Sequence, residues 1–550
     1  AAEAICAVGA EETTLPPACQ IARDEVLDLL SQLANKSLVV ADSKPDVETR
    51  YRLLETIRQY ARDKLLEAGG EELVRRHHLL YFLALVERAE PHLRGPAQVA
   101  WLDQLEIEHD NLRTAIEWAL ATDVVAALRL TAALLWFWHI RGHKREGREW
   151  LARALSAESQ TSGEQPLPAV RVAARAKALN VAAFLARMTG DLGHGGEFAQ
   201  ESLALFRKLG SSGRQGVAYA LLSLSAVAAT QSRDAQAKSM MDEALALFRE
   251  VRDHFGTAEC LSMLGRDALE KGDYELAQAL WEEHLVVRRE LGDMDGSADA
   301  LAHLGVLAFW QGDYRRAREL SEESLAGFRA VGNRWAMGFN LYSLGEIAQA
   351  EGDYEQAIQR LETGLAFGRQ MGDQHVIATM QYQLGAVAWS QGDYERAAQR
   401  YQEALGLMRE HGHLVGAAKA LHALGEVAWG LAQYTQAARR YEDALAPSRK
   451  LGHKATSAAA LYGLGKVALV QGDYTSALQL QKEALQQRQA EDQTGLVWRR
   501  EARDLWGVYR FLEALATLAV AQQRLGTAAR PLCANPRGDE GGRVFAAPAE

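Results

Sequence analysis

One phrase recurs six times at intervals of 40 residues in the second half of the chain, and a strict period of that length confines the fold to an array of like units. Gly272-Asp273-Tyr274 returns as Gly312-Asp313-Tyr314, Gly352-Asp353-Tyr354, Gly392-Asp393-Tyr394, a degraded Ala432-Gln433-Tyr434, and Gly472-Asp473-Tyr474. A Leu-Gly pair precedes each phrase, from Leu264-Gly265 to Leu464-Gly465, and an alanine follows each tyrosine by three residues, from Ala277 to Ala477. Within one unit, Leu301, Leu304 and Ala308 share one helical face, as do Ala317, Leu320 and Leu325, so each unit reads as two amphipathic helices. Gly312 suits the left-handed turn between them, and Asp313 carries the oxygen that caps the second helix. Gly332-Asn333, Gly372-Asp373 and Gly412-His413 close the second helices in the same way. Ala268, Ala308, Ala348, Ala388, Ala428 and Ala468 form a column of small residues where a larger side chain would push neighbouring helices apart.

The Leu-Gly pair in the first helix and the alanine early in the second resemble the tetratricopeptide repeat. Leucine stands where that repeat usually has Trp (Leu261, Leu301, Leu341), the alanine column replaces its usual Tyr, and the period exceeds the common length of about 34. Longer helices of this kind are familiar in large bacterial transcriptional regulators and in kinesin light chains. The resemblance implies an all-α fold, a right-handed superhelix or α-solenoid of helix hairpins, with a small partial winged helix at its N-terminus.

Six regular repeats are assigned to 256–490. Divergent repeats occupy 161–255, where Gly190-Asp191-Leu192 and Ser232-Arg233-Asp234 hold the turn position. A helical connector and first divergent repeat span 71–160, including a helix pair over 123–157 with Trp136, Phe137 and Trp138 in its first helix. The polar, proline-containing stretch from Glu158 to Pro168 is the linker candidate of this half. Residues 491–530 hold a terminal hairpin, and the tail over 531–550 has no helical periodicity and is expected to be disordered.

The partial winged helix is assigned to 1–70. A helix through Val26 and Leu33 leads to an apolar strand at Leu38-Val39-Val40-Ala41, a polar turn over Asp42 to Thr49, a strand at Arg50-Tyr51-Arg52-Leu53-Leu54, and a helix from Glu55 to Ala68. The wording KSLVV…RYRLLETIRQYARDKLLEAG, then RRHHLLYFLALVERAEPHLRG and WLDQLEIEHDNLRTAIEWAL, resembles the segment that follows the nucleotide-binding domain in bacterial signal-transduction ATPases of the maltose-regulator and LuxR-type class. That family carries an upstream ATPase with a GxxxxGK[ST] loop, and the chain has no such motif. It is therefore read as the C-terminal portion of a longer protein in which an ATPase module is expected.

At 550 residues and 48% hydrophobic, the chain has no apolar run long enough to span a bilayer and no evident signal peptide, and the resemblance implies a cytoplasmic protein without membrane attachment. Four scattered cysteines, Cys6, Cys19, Cys260 and Cys533, argue for reduced thiols. A net charge of −11 disfavours attachment to DNA through bulk electrostatics, and no direct nucleic-acid binding is expected of this segment.

Isolated chemistry-bearing motifs have simpler readings. Gly463-Leu464-Gly465-Lys466 is part of a repeat, with no strand before it and no Ser or Thr after it. His77-His78 cannot present both rings to one metal from a helix face. His413 and His453 suit second-helix ends, where a cation favours the helix dipole and capping is a sufficient explanation, and pairs such as Glu322-Glu323 and Glu282-Glu283 are solvated surface. No metal-ligand set, cofactor or catalytic group is expected, and the chain is read as a non-enzyme.

One constellation stands out. In the family the first helices line the concave wall, and counting from the Leu-Gly pair carries Tyr342, Tyr382, His422 and Tyr462 into it. Phe309, Trp389 and Trp429 follow in a second column, with Trp310 and Phe339 nearby. Such a ladder of aromatics makes a partner groove. The same residues also suit packing between neighbouring repeats. Glu346, Glu426 and Lys466 occupy the column between and either select for polarity or form a solvated face. The resemblance implies a non-catalytic sensor arm of a signal-transduction ATPase regulating transcription, with a protein or small-molecule inducer in the groove. The alternative is a free-standing scaffold that assembles protein complexes.

Overall fold

The computed structural model describes residues 2–6, 21–42, 49–161, 168–189, 191–230 and 233–492. The turn residues Gly190 and Ser232, the terminal hairpin, the tail, Cys19 and Cys533 lie outside these residues. The chain forms two compact units, residues 1–262 with 283–298 and 327–334, and residues 263–282 with 299–326 and 335–550. Among the described residues, no helix is long and apolar enough to cross a membrane. The described residues are all-α apart from one two-stranded sheet.

In the first unit, helix Glu25–Asn35 leads into strand Val39–Asp42, which pairs antiparallel with Arg50–Leu53 in the register Val39 to Leu53 and Asp42 to Arg50. Helix Glu55–Glu67 follows. β-Branched Val39 and Val40 suit the pleat, and Val39 is the buried member of its strand. The helices from Glu71–Ala89 to Lys144–Thr161 close on a core that includes Phe82, Leu105, Ile116, Phe137 and Trp138.

Two expectations are corrected in this unit. The first helix of the pair over 123–157 is broken into Val124–Ala133 and Leu135–Ile140. The break folds Trp138 back, where its Nε1 donates to Thr131 O at 3.3 Å, and the indole lies where a Cβ at Gly147 would be only 2.6 Å away. The linker candidate also starts inside a helix. Lys144–Thr161 runs into it, and Glu158 is buried in ion pairs with Arg171 (2.7 Å) and Arg175. Burial alone would raise the Glu158 carboxyl, but the two guanidiniums hold it below the usual range.

The second unit holds most of the regular repeats, whose helices run from Arg334–Ala350 and Tyr354–Met371 to Lys454–Val470 and Tyr474–Asp492. Gly312, Gly352, Gly392 and Gly472 take φ of 82°, 83°, 79° and 79°, the left-handed turn that a Cβ disfavours. The next residue caps the second helix: Asp353 accepts from Gln356 N at 3.0 Å and Asp393 from Arg396 N at 3.0 Å. Ala432 must adopt the same turn, at φ 57°, and Gln433 makes no capping bond. The column alanines are buried, Ala348 at 1% exposure and Ala468 at 9%. Each Leu-Gly glycine lies under a side chain 16 residues later: a Cβ would meet Leu361 at 2.8 Å from Gly345, and Tyr401 at 2.8 Å from Gly385. The pair therefore permits close crossing of the two helices in a hairpin.

Candidate ligand-binding cleft

Because the repeat is 40 residues long, equivalent positions on the first helices Arg334–Ala350, Gln374–Ser390, Leu414–Gly430 and Lys454–Val470 fall side by side. They bound an open cleft of about 650 Å³ in the second unit. Phe309, Tyr342, Tyr382, Trp389 and His422 line it. Trp389 is 44% exposed, unusual for an indole without a partner surface.

The remaining aromatics of the proposed ladder lie elsewhere. Trp429 and Tyr462 flank the Lys466 ammonium, 4.9 Å and 5.5 Å from their ring centres. Phe339 packs against Trp335 at 4.6 Å, and Trp310 is partly buried and does not line the cleft. Lys466 pairs with Glu426 at 2.9 Å, and Glu426 also accepts from the Tyr441 hydroxyl at 2.6 Å. Burial would raise the Glu426 carboxyl, but Lys466 and His422, with these hydrogen bonds, hold it below its ordinary value. His422 stands 3.9 Å from the same carboxylate, yet its burial lowers its own pKa and disfavours the imidazolium.

Polar groups missed by a search for aromatics complete the wall. Gln383 donates to Gln349 at 2.8 Å, and Gln349 in turn donates to Ser390 Oγ at 2.9 Å and to Ala386 O at 3.2 Å. These amides bridge neighbouring first helices. Gln349 occupies the column of Phe309 and Trp389, so the 40-residue register alone could have found it. Lys419, His453 and Thr456 extend the polar lining. His453 closes the preceding second helix, where its backbone N–H donates to Ser448 O at 2.9 Å, and it also acts as a cap. It opens Lys454–Val470, and its Nδ1 accepts from Thr456 N at 3.3 Å.

Tyr342 donates to Glu346 at 3.0 Å; burial, the Glu346 charge and this bond keep its phenol well above its ordinary value. Burial, with Glu346 nearby, pushes Tyr382 up to about 12. Both phenols therefore stay protonated as donors at neutral pH. The cleft offers aromatic faces, amides and hydroxyls, with Glu346 towards one end and Lys419 towards the other. That is a binding chemistry.

The comparisons with known proteins agree with this architecture. The tetratricopeptide repeat family matches residues 220–290, 296–370, 376–450 and 422–492, and a winged helix-turn-helix domain matches residues 4–66. Proteins of Mycobacterium tuberculosis and Mycobacterium bovis named as putative HTH-type transcriptional regulators are 33% identical over 254 residues, 45% of this chain. The aligned part spans 27% of those relatives' own length. Among solved structures, a Rap protein complexed with Competence and Sporulation Factor has the same kind of fold, with a TM-score of 0.50 and 15% identity over 69% of this chain and 99% of that chain. A Signal Transduction ATPase with Numerous Domains from Pyrococcus horikoshii, with a tetratricopeptide repeat sensor, gives a TM-score of 0.42 at 15% identity, over 64% of this chain and 55% of that one. The chain is thus a winged helix-turn-helix segment followed by an array of tetratricopeptide repeats, and its sequence relatives are named as transcriptional regulators.

Proposed function

We propose that the repeats form the sensor arm of a signal-transduction ATPase that regulates transcription, and that the cleft around Tyr342, Tyr382 and Trp389 receives the inducer or partner. The observation that carries this reading is an open cleft of about 650 Å³ whose wall combines an exposed indole with inward phenols and amides. The winged helix-turn-helix match, the wording that follows it, and the regulator relatives support a transcriptional context for this reading. A Rap protein with the same kind of fold is found in complex with Competence and Sporulation Factor, which supports reception of a factor as a use of such an array.

The mechanism is a shift between two arrangements of stacked hairpins. Each repeat touches mainly its neighbours, so a ligand bridging several first helices favours one relative placement of those helices over another. The bridges Gln349–Gln383 and Glu426–Lys466 each join one repeat to the next and would carry that change. The role is binding, and any ATP hydrolysis would belong to a module outside these repeats.

The test starts with the natural gene. An in-frame strand and GxxxxGK[ST] motif upstream of the codon for Ala1 supports the sensor reading. A stop codon followed by a start site near Ala1 would overturn it in favour of a free-standing scaffold. With the ATPase in hand, Trp389→Ala in the full-length protein is expected to remove inducer-dependent transcription while leaving basal nucleotide binding unchanged.

A further inference from the structure

Apart from the cleft, three side chains distant in sequence converge in the first unit. Glu106 ends helix Gln98–Ile107, His109 opens helix His109–Thr122, and His143 lies in the turn before Lys144–Thr161. One potential ligand atom from each lies within 4.8 Å of the others. We propose that Glu106, His109 and His143 bind a divalent transition-metal ion of the zinc class, which clasps the junction of the two helices to that turn.

The argument rests first on His109. Its residue is 7% exposed and its ring is walled by Phe137 at 5.2 Å and Trp138 at 5.7 Å, so the imidazole is held in one orientation. Its Nε2 is shut off from solvent and makes no hydrogen bond. A buried nitrogen without a hydrogen bond calls for an explanation. The Glu146 carboxylate approaches to 3.4 Å, but Arg113 already engages both its oxygens, at 2.6 and 2.7 Å, and Trp150 Nε1 donates to it at 3.1 Å. The His143 ring lies 4.4 Å from that of His109, and its Nε2 is 3.2 and 3.3 Å from the two Glu106 oxygens. A hydrogen bond between His143 and Glu106 accounts for those two groups. The His109 nitrogen is left with only the long 3.4 Å approach of Glu146, whereas a metal ion would bring all three donors to one centre.

The donor chemistry narrows the ion. Two imidazole nitrogens and a carboxylate oxygen suit zinc and its neighbours better than magnesium or calcium, which prefer oxygen. Tetrahedral bonds of about 2.0–2.1 Å place ligand atoms roughly 3.4 Å apart. The His143 to Glu106 edge is close to that length, and the Glu106 side chain, 42% exposed, has room to shorten its edge to His109. Three protein ligands leave a fourth position beside a pocket of about 480 Å³ lined by His143, Glu146 and Trp150. Two of the nearby guanidiniums are matched by carboxylates, Arg141 by Asp103 and Arg113 by Asp110 and Glu146, while Arg145 and Arg153 also line that pocket.

The full chain, stripped with a chelator, is titrated with Zn²⁺ against a chromophoric competitor and separately with Co²⁺. One equivalent of zinc, a visible d–d spectrum of a four-coordinate cobalt site, and a zinc-dependent rise in melting temperature are expected. Glu106→Gln and His143→Asn should each weaken zinc binding by about 10–100-fold or more and abolish the thermal shift. Both replace partly exposed side chains, so helicity measured by circular dichroism should hold; if His143→Asn loses it, Glu106→Gln decides alone. Binding that is substoichiometric, unchanged in the variants, or matched by Mg²⁺ would overturn the proposal.

Discussion

Tyr441 lies across the backbone of Gly425, where a Cβ would stand 2.5 Å from its Cε1, and its hydroxyl donates to the neighbouring Glu426 at 2.6 Å. On its other side it meets Gly463 of the next repeat, whose added Cβ would be 2.6 Å from Cζ. One buried phenol therefore joins the two helices of its own hairpin to the following one. Gly425→Ala should displace that ring and cost about 1–3 kcal/mol by overpacking. Urea unfolding of the two proteins checks it, and equal midpoints would show that the ring yields without strain.

The degraded repeat predicts the opposite sign. Ala432 occupies a left-handed turn that the five other regular repeats give to glycine, and Gln433 stands where Asp353 and Asp393 cap. Ala432→Gly should stabilise by about 1 kcal/mol, and Gln433→Asp by about 0.5–2 kcal/mol. A double variant no more stable than the parent in thermal melts would mean that neighbouring contacts already compensate this turn.

Turn glycines and capping aspartates were legible because they recur in all but one of the regular units, and the alanine column because it recurs in all six; a residue that recurs at one packing position reports that position. The cleft was legible only in part. Phe309, Tyr382 and Trp389 fall on a common wall, whereas Trp429 and Tyr462, in the same two columns, flank Lys466. Column membership places a residue on a helix face, but the neighbour decides whether it meets ligand or protein, and Lys466 occurs in one repeat alone. The break at Leu134 was illegible because its cause, the seating of Trp138 over Gly147, is tertiary. The same holds for Glu158, whose guanidinium partners lie 13 and 17 residues away.

That carboxylate gives a third prediction. Glu158→Ala would leave Arg171 and Arg175 facing a buried void, and breaking a buried pair costs about 3–5 kcal/mol. Arg175 also contacts Glu201 at 2.6 Å, which should keep the loss at the lower end. Denaturant titration of Glu158→Ala beside Glu158→Gln would separate charge from packing. No change in either would remove the ion pair from the account of stability.

His422 supplies a dependence on pH. Its pKa in the fold is lowered from 6.5 by burial, so on acidification the unfolded chain takes up this proton before the folded one does. The associated stability is present above pH 6.5 and is lost as pH falls through the lower folded value. His422→Gln should therefore lose less stability than the parent between pH 7.5 and 5.5. Identical slopes in urea midpoints at those two pH values would show that His422 titrates alike in both states.

The sharpest contrast falls on adjacent residues. Ala388 is 3% exposed in the packed column, while Trp389 is 44% exposed on the cleft wall, because one residue along the helix turns the side chain by about 100°. Ala388→Trp should force neighbouring helices apart, costing about 1–3 kcal/mol or more and broadening the unfolding transition. Trp389→Ala should change stability by no more than about 0.5 kcal/mol, as expected for a surface position. If Trp389→Ala instead lost helicity by circular dichroism, the indole would belong to the packing of the repeats and the cleft would lose its principal aromatic face.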